Sequence, residues 1–105
     1  MERYGKIIKV KAEKFKYYKE LHANPWPEVI AAIAECNIRN FSIFCRDGYL
    51  FSYYEYVGYD YAQDMGKLGM LTRHWLQETD QCQQPLETAA PGEWWTEMAE
   101  LFHQD

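Results

Sequence analysis

The chain has 105 residues, 48% of them hydrophobic, with 16 acidic and 11 basic side chains and a formal net charge of −5. That length predicts one domain over residues 1–105, and that apolar content excludes a disordered chain. The acidic balance excludes nucleic acid and anionic membrane as partners, because both reward a basic surface.

Residues 3–11, RYGKIIKVK, are short, β-branched and partly alternating, which predicts a strand. Residues 12–22, AEKFKYYKELH, are good helix formers, and Phe15, Tyr18 and His22 fall three and four apart on one face. Two prolines around Trp26 follow. Asn24 is expected to cap a fresh helix with Pro25 at its first position, where a missing N–H costs nothing. The second helix, residues 27–36, shows Val29, Ile30, Ile33 and Ala34 as its apolar stripe. Proline stiffens the backbone directly behind His22, so the break is expected to fix where that ring points.

Residues 38–57 form two β-rich runs joined at Asp47-Gly48, a strong hairpin signal. Simple alternation places Phe41 and Ile43 on one face, with Ile38 and Phe44 on the other. A sheet apolar on both faces needs two covers. Helices supply one, and a second subunit or a ligand pocket the other. Residues 60–79 open with Asp60 and Gln63 as an approximate capping box, then place Met65, Leu68, Thr72 and Trp75 at helical spacing. Residues 80–93 read as a loop. Beyond them, Met98, Leu101 and Phe102 suit a helix, while Trp94, Thr96 and Met98 suit a strand. With the last segment read as a strand, the order β, α, β, β, α, β is the split βαβ arrangement of an α+β ferredoxin-like sandwich.

Cys36, Cys45 and Cys82 are odd in number and widely spaced, which gives neither a disulfide framework nor a zinc pattern. Free thiols, with no long apolar run in MERYGKIIKV, predict a cytoplasmic protein. No Gly-rich phosphate loop and no metal-ligand spacing occurs, so neither cofactor nor metal is expected. Nine Tyr, five Phe and four Trp either fill a small core with rings or line a pocket that is apolar yet offers hydrogen bonds. His22 titrates near neutrality and stands one turn after Tyr18 at a helix end, though by spacing alone a lone histidine serves structure more often than chemistry. His74 reads as a partly buried helix residue, His103 as a surface residue and Glu20 as a solvated helix charge. Glu28 is a further candidate proton carrier. Glu55 lies inside SYYEYV, where a carboxylate must be paired or functional.

The stretch YKELHANPWPEV, with Y-x-x-x-H followed by W-P-E, resembles the signature of the L-rhamnose mutarotases. The likeness continues through CNIRNFSIF, LFSYYEYVG, RHWLQETDQCQQPLE and GEWWTEMAELFH. The resemblance implies a ferredoxin-like subunit that pairs through its sheet into a homodimer, a dimeric αβ-barrel. It implies an isomerase that interconverts the α and β anomers of L-rhamnose or a related 6-deoxy sugar. His22 matches the proton-transferring histidine, Tyr18 a substrate-binding tyrosine and Trp75 the second ring of a tryptophan pair. Asn40, Phe41, Tyr54 and His74 complete the implied substrate-binding set. Phe41 stands where the family often has tyrosine, and His74 where the first ring of the pair is expected. The sugar is therefore open between L-rhamnose, L-fucose and another neutral sugar, and His74 offers a second imidazole. Anomerisation needs a proton delivered to the ring oxygen and another removed from the anomeric hydroxyl. A histidine with a tyrosine or water partner supplies both, each worth ~10²–10⁴ in rate. Two other readings stay open: a dimeric αβ-barrel monooxygenase-like enzyme, and a non-catalytic sugar-binding or dimerisation module.

Overall fold

The computed structural model describes residues 1–105. Its strands are β1 (Glu2–Val10), β2 (Ile38–Arg46), β3 (Tyr49–Tyr56), β4 (Gln83–Gln84) and β5 (Thr96–Met98). Its helices are α1 (Phe15–Ala23), entered through a 3-10 turn at Ala12–Lys14, then α2 (Pro27–Glu35), α3 (Tyr61–Leu71) and α4 (Arg73–Asp80). The antiparallel sheet has the order β2-β3-β1-β4, with β5 also pairing to β1. That order, with the first and third strands side by side at the centre, is the expected ferredoxin-like α+β sheet. No helix is long and apolar enough to cross a membrane.

Strand alternation decides the core. Leu50, Ser52, Tyr54 and Tyr56 of β3 are buried, while Tyr49, Phe51, Tyr53 and Glu55 point the other way. Ile8 and Val10 of β1 join Leu50, Tyr18 of α1 and Cys82 in one buried cluster. Ile38, Tyr54 and Tyr56 form another, against which Met65 and Leu68 of α3 pack. The helices therefore cover one face of the sheet. On the opposite face Ile7, Phe51 and Phe44 are register neighbours, and Tyr53 and Met98 both lie opposite Gly5. No helix covers this second apolar face, and Phe44 is 65% exposed.

Four local expectations are corrected. The fresh helix starts two residues later than Asn24 predicts: Trp26 is the N-cap, with φ −68 and ψ 133, and Pro27 is the first helical residue. The residue before a proline is pushed out of the helical region. Both Asn24 and Trp26 precede prolines, so the helix waits for the second one, and Asn24 instead closes α1. The buried face of α2 is then Val29 and Ala32, with Ile33 half-buried, while Ile30 and Ala34 face outward.

The second correction concerns β2. Pairing with β3 jumps in register between Arg39 and Ser42, and Asn40 has φ 52. This bulge adds one residue and reverses the alternation. Ile38 consequently shares the inner face with Phe41 and Ile43 rather than standing opposite them with Phe44. At the hairpin tip, Asp47 and Gly48 both have positive φ, 53 and 81, as a type I′ turn requires.

The third correction is β4, which lies inside the stretch read as a loop. Two residues are too few to show a period, but they pair with Lys9 and Val10 at the edge of β1. Beyond them the ambiguous segment resolves as a strand, Thr96–Met98, which supplies partners for the β1 backbone. The expected single helix over 60–79 is two, divided at Thr72, whose hydroxyl donates to the Leu68 carbonyl at 2.7 Å. The Asp60 carboxylate caps the first by accepting from the Gln63 amide at 3.1 Å. Met65, Leu68, Thr72 and Trp75 keep one inward line across the break.

Candidate active site

Between the sheet and the helices lies a cavity of about 260 Å³, lined among others by Tyr18, His22, Phe41, Tyr54 and Trp75. A wider cleft of about 700 Å³ shares Tyr18, His22, Phe41 and Trp75 with it. The inner volume falls just below the usual range of small-molecule pockets, roughly 300–1,000 Å³. No group of three or more His, Cys, Asp or Glu side chains is placed to hold a metal ion.

His22 occupies the last turn of α1, and its Nδ1 lies 2.8 Å from the Tyr18 carbonyl oxygen. A carbonyl only accepts, so Nδ1 carries the hydrogen and Nε2 is left with a lone pair. Burial lowers the imidazole pKa from its ordinary 6.5, partly opposed by that backbone bond. The ring is therefore a neutral base at pH 7. Its orientation is held by other rings: Tyr18 at 4.2 Å and Trp75 edge-on at 5.2 Å. Trp26, held between the two prolines, packs edge-on against Trp75 at 5.1 Å. The Pro25-Trp26-Pro27 break thus acts on His22 through Trp75.

Tyr18 is buried, and its phenol is the end of a hydrogen-bond chain. The Trp94 indole N–H donates to Gln83 Oε1 at 2.9 Å, and Gln83 Nε2 donates to the Tyr18 oxygen at 3.1 Å. Indole nitrogen only donates, which fixes the amide with its oxygen toward Trp94. The phenol must then accept from Gln83, and its own O–H is left for a ligand. Burial pushes its pKa up to about 12, so that proton is present at neutral pH.

A second aromatic group reaches the cavity through Tyr54 and Phe41. The Tyr54 hydroxyl bonds that of Tyr61, Tyr4 stacks on Tyr61 at 4.5 Å, and Phe41 meets Tyr54 at 5.3 Å. Desolvation raises the pKa of Tyr54 and pushes that of Tyr61 up to about 12. Phe41 reaches this position because of the Asn40 bulge.

The structure brings His22, Tyr18, Phe41, Tyr54 and Trp75 to one cavity, and leaves Asn40 and His74 outside its lining. Asn40 donates to Glu55 at 2.6 Å, and Tyr53 donates to the same carboxylate at 2.7 Å. Those bonds, Tyr53 first, hold the Glu55 pKa below its ordinary value, so the carboxylate in the aromatic strand is paired. His74 is exposed on α4, His103 contacts Asp105, and Glu20 and Glu28 are exposed. Lys6, Ser52, Thr79, Gln83 and Trp95 also line the cavity and were missed by sequence reasoning. Lys6 was readable, since alternation places it on the same face as Tyr4 and Ile8. Gln83 carried no signal, because its strand is two residues long.

The sequence profile of the L-rhamnose mutarotase family matches residues 3–104. L-rhamnose mutarotase of Oceanobacillus iheyensis is 26% identical, with 100% of both chains covered. That of Bacillus subtilis is 29% identical over 97% of this chain and 81% of its own. Among solved structures, L-rhamnose mutarotase from Formosa agariphila matches with a TM-score of 0.75 and 18% identity, covering 100% of both chains. Tetracenomycin F2 cyclase from Streptomyces glaucescens, a type-II polyketide cyclase, matches with a TM-score of 0.62 and 12% identity over 99% of this chain and 96% of its own. At these identities the two structures speak for the fold alone.

Proposed function

Because the chain belongs to the L-rhamnose mutarotase family, we propose that it exchanges the α and β anomers of L-rhamnose or a related 6-deoxy sugar, with His22 transferring the proton. The observation that supports this is the pairing, in one cavity, of an imidazole with a free lone pair and a phenol with a free proton.

In the proposed mechanism His22 Nε2 takes the proton of the anomeric hydroxyl as the bond from anomeric carbon to ring oxygen breaks. The Tyr18 hydroxyl gives its proton to the departing ring oxygen. Rotation about the next carbon–carbon bond presents the other face of the aldehyde. Closure then runs the two transfers backwards, returning one proton to Tyr18 and the other to the new anomeric hydroxyl. With the Tyr18 pKa near 12, a free phenolate is costly, so the two transfers are concerted. Phe41 and Trp75 offer apolar faces to the sugar's C–H surface, and Tyr54 a ring with a polar tip.

We also propose that the chain works as one domain in the cytoplasm, and as a homodimer whose second copy covers the face bearing Ile7, Phe44, Phe51 and Met98. Exposed apolar surface of this kind is characteristic of interfaces. Leu101 and Phe102, 95% and 80% exposed, would add to the contact.

Magnetisation-exchange NMR on L-rhamnose and L-fucose tests the activity. Exchange between anomers faster than in buffer is expected for at least one of them. A protein that binds the sugar while exchange stays at the buffer rate is a binding module instead.

A further inference from the structure

Lys6 is the charge in the cavity that anomer exchange leaves unused. It sits on the inner face of β1, and its Nζ donates to the Tyr61 hydroxyl over a long 3.4 Å. The same nitrogen lies 5.5 Å from the ring centre of Tyr54 and 5.8 Å from that of Tyr4. An ammonium has three donors. One long bond and two ring faces leave donors of this half-buried ammonium free for a ligand.

No carboxylate lies within ion-pair distance of it. Glu97 is its register neighbour on β5 but is exposed and forms no ion pair with it. No Asp or Glu lines the cavity or the wider cleft. That is notable in a chain with 16 acidic side chains against 11 basic ones. A cation drawn into an apolar pocket is costly unless an anion or hydrogen-bond acceptors complete it. A neutral 6-deoxy sugar has no anion to offer. Oxidising its exocyclic methyl to a carboxylate supplies one and leaves the ring and hemiacetal unchanged. Lys6 belongs to the tyrosine group of β1, β3 and α3, and His22 to the ring stack of α1, α2 and α4. Lys6 and Tyr54 of the first group and His22 and Trp75 of the second line one cavity from different elements, so a sugar can present its anomeric centre to one side and its exocyclic carbon to the other.

We propose that the cavity takes acidic monosaccharides, hexuronates, with the carboxylate on Lys6. This rests on the mutarotase reading for its chemistry and adds a substrate class to it.

The test compares L-rhamnose with L-mannuronate, its counterpart oxidised at the exocyclic carbon, by magnetisation-exchange NMR. The native protein should speed anomer exchange of L-mannuronate above the buffer rate. Lys6→Met should lower the ratio of kcat/KM for uronate over rhamnose by about tenfold or more, the size expected for a lost charge-assisted hydrogen bond. Lys6→Arg, which keeps the charge, should restore most of that ratio. A native protein that accelerates L-rhamnose but leaves L-mannuronate at the buffer rate overturns the proposal and spares the mutarotase reading. A ratio unmoved by Lys6→Met in a folded protein overturns it too. If neither sugar is accelerated, the mutarotase reading falls, and saturation-transfer binding of L-mannuronate decides Lys6. Binding weakened by Lys6→Met then supports the subsite, and absent or unchanged binding sinks it.

Discussion

A single backbone carbonyl sets the chemistry proposed for His22. By accepting from Nδ1 it turns the free lone pair of Nε2 into the available base. His22→Ala should keep the circular-dichroism spectrum and lose ~10²-fold or more of the rate above buffer. His74→Ala is the control: its ring is exposed on α4 and outside the cavity lining, so the rate should stay at the native level. The reverse pattern would move the proton carrier to α4. The pH profile has a definite sign. The neutral ring is the active form, and burial lowers its pKa below 6.5. Activity should therefore be flat through neutrality and fall only on the acid side, at a midpoint under 6.5. A midpoint above that value would mean the imidazole is held charged by a group other than those described.

At the scale of elements, Trp75 ties three helices together. It is buried in a cluster with Leu21 of α1 and Val29 of α2, and its ring meets those of His22 and Trp26. Trp75→Ala should cost ~3–5 kcal/mol in urea unfolding, the usual range for emptying a large buried ring. A change under about 1 kcal/mol would show that the ring serves only the ligand. β1 and α1 were legible in the sequence from their local composition and spacing, and the hairpin from its Asp47-Gly48 turn. The face of Ile38 was not, since a bulge shifts the phase without altering composition. Nor was the start of α2, where two prolines offered two first positions. For the site, Tyr18, His22 and Trp75 were visible at helical spacing and through the family likeness. The partner of Tyr18 was not, because Gln83 lies 65 residues further along the chain.

For the whole molecule, the decisive feature is a sheet with helices on one side only. If a second copy supplies the other cover, sedimentation at micromolar concentration should give about twice the chain mass of 12.6 kDa. Phe44→Glu is the matching variant. Its side chain is exposed in the single chain, so a charge there should leave folding intact while loosening the pair by burying an unpaired carboxylate. A native protein that sediments as a monomer would remove the dimer, and Phe44 would then be an exposed ring on the rim of the wider cleft.

The bonds running from Trp94 through Gln83 to Tyr18 also give the cavity an outlet for signals. Trp94 is 39% exposed, while Tyr18, whose phenol it reaches through one amide, is 4% exposed. A hydroxyl arriving on that phenol redistributes charge along the amide and so alters the magnetic surroundings of the indole N–H. In a nitrogen-15-labelled sample, the Trp94 resonance becomes a native indicator of occupancy, readable for any sugar without attaching a dye.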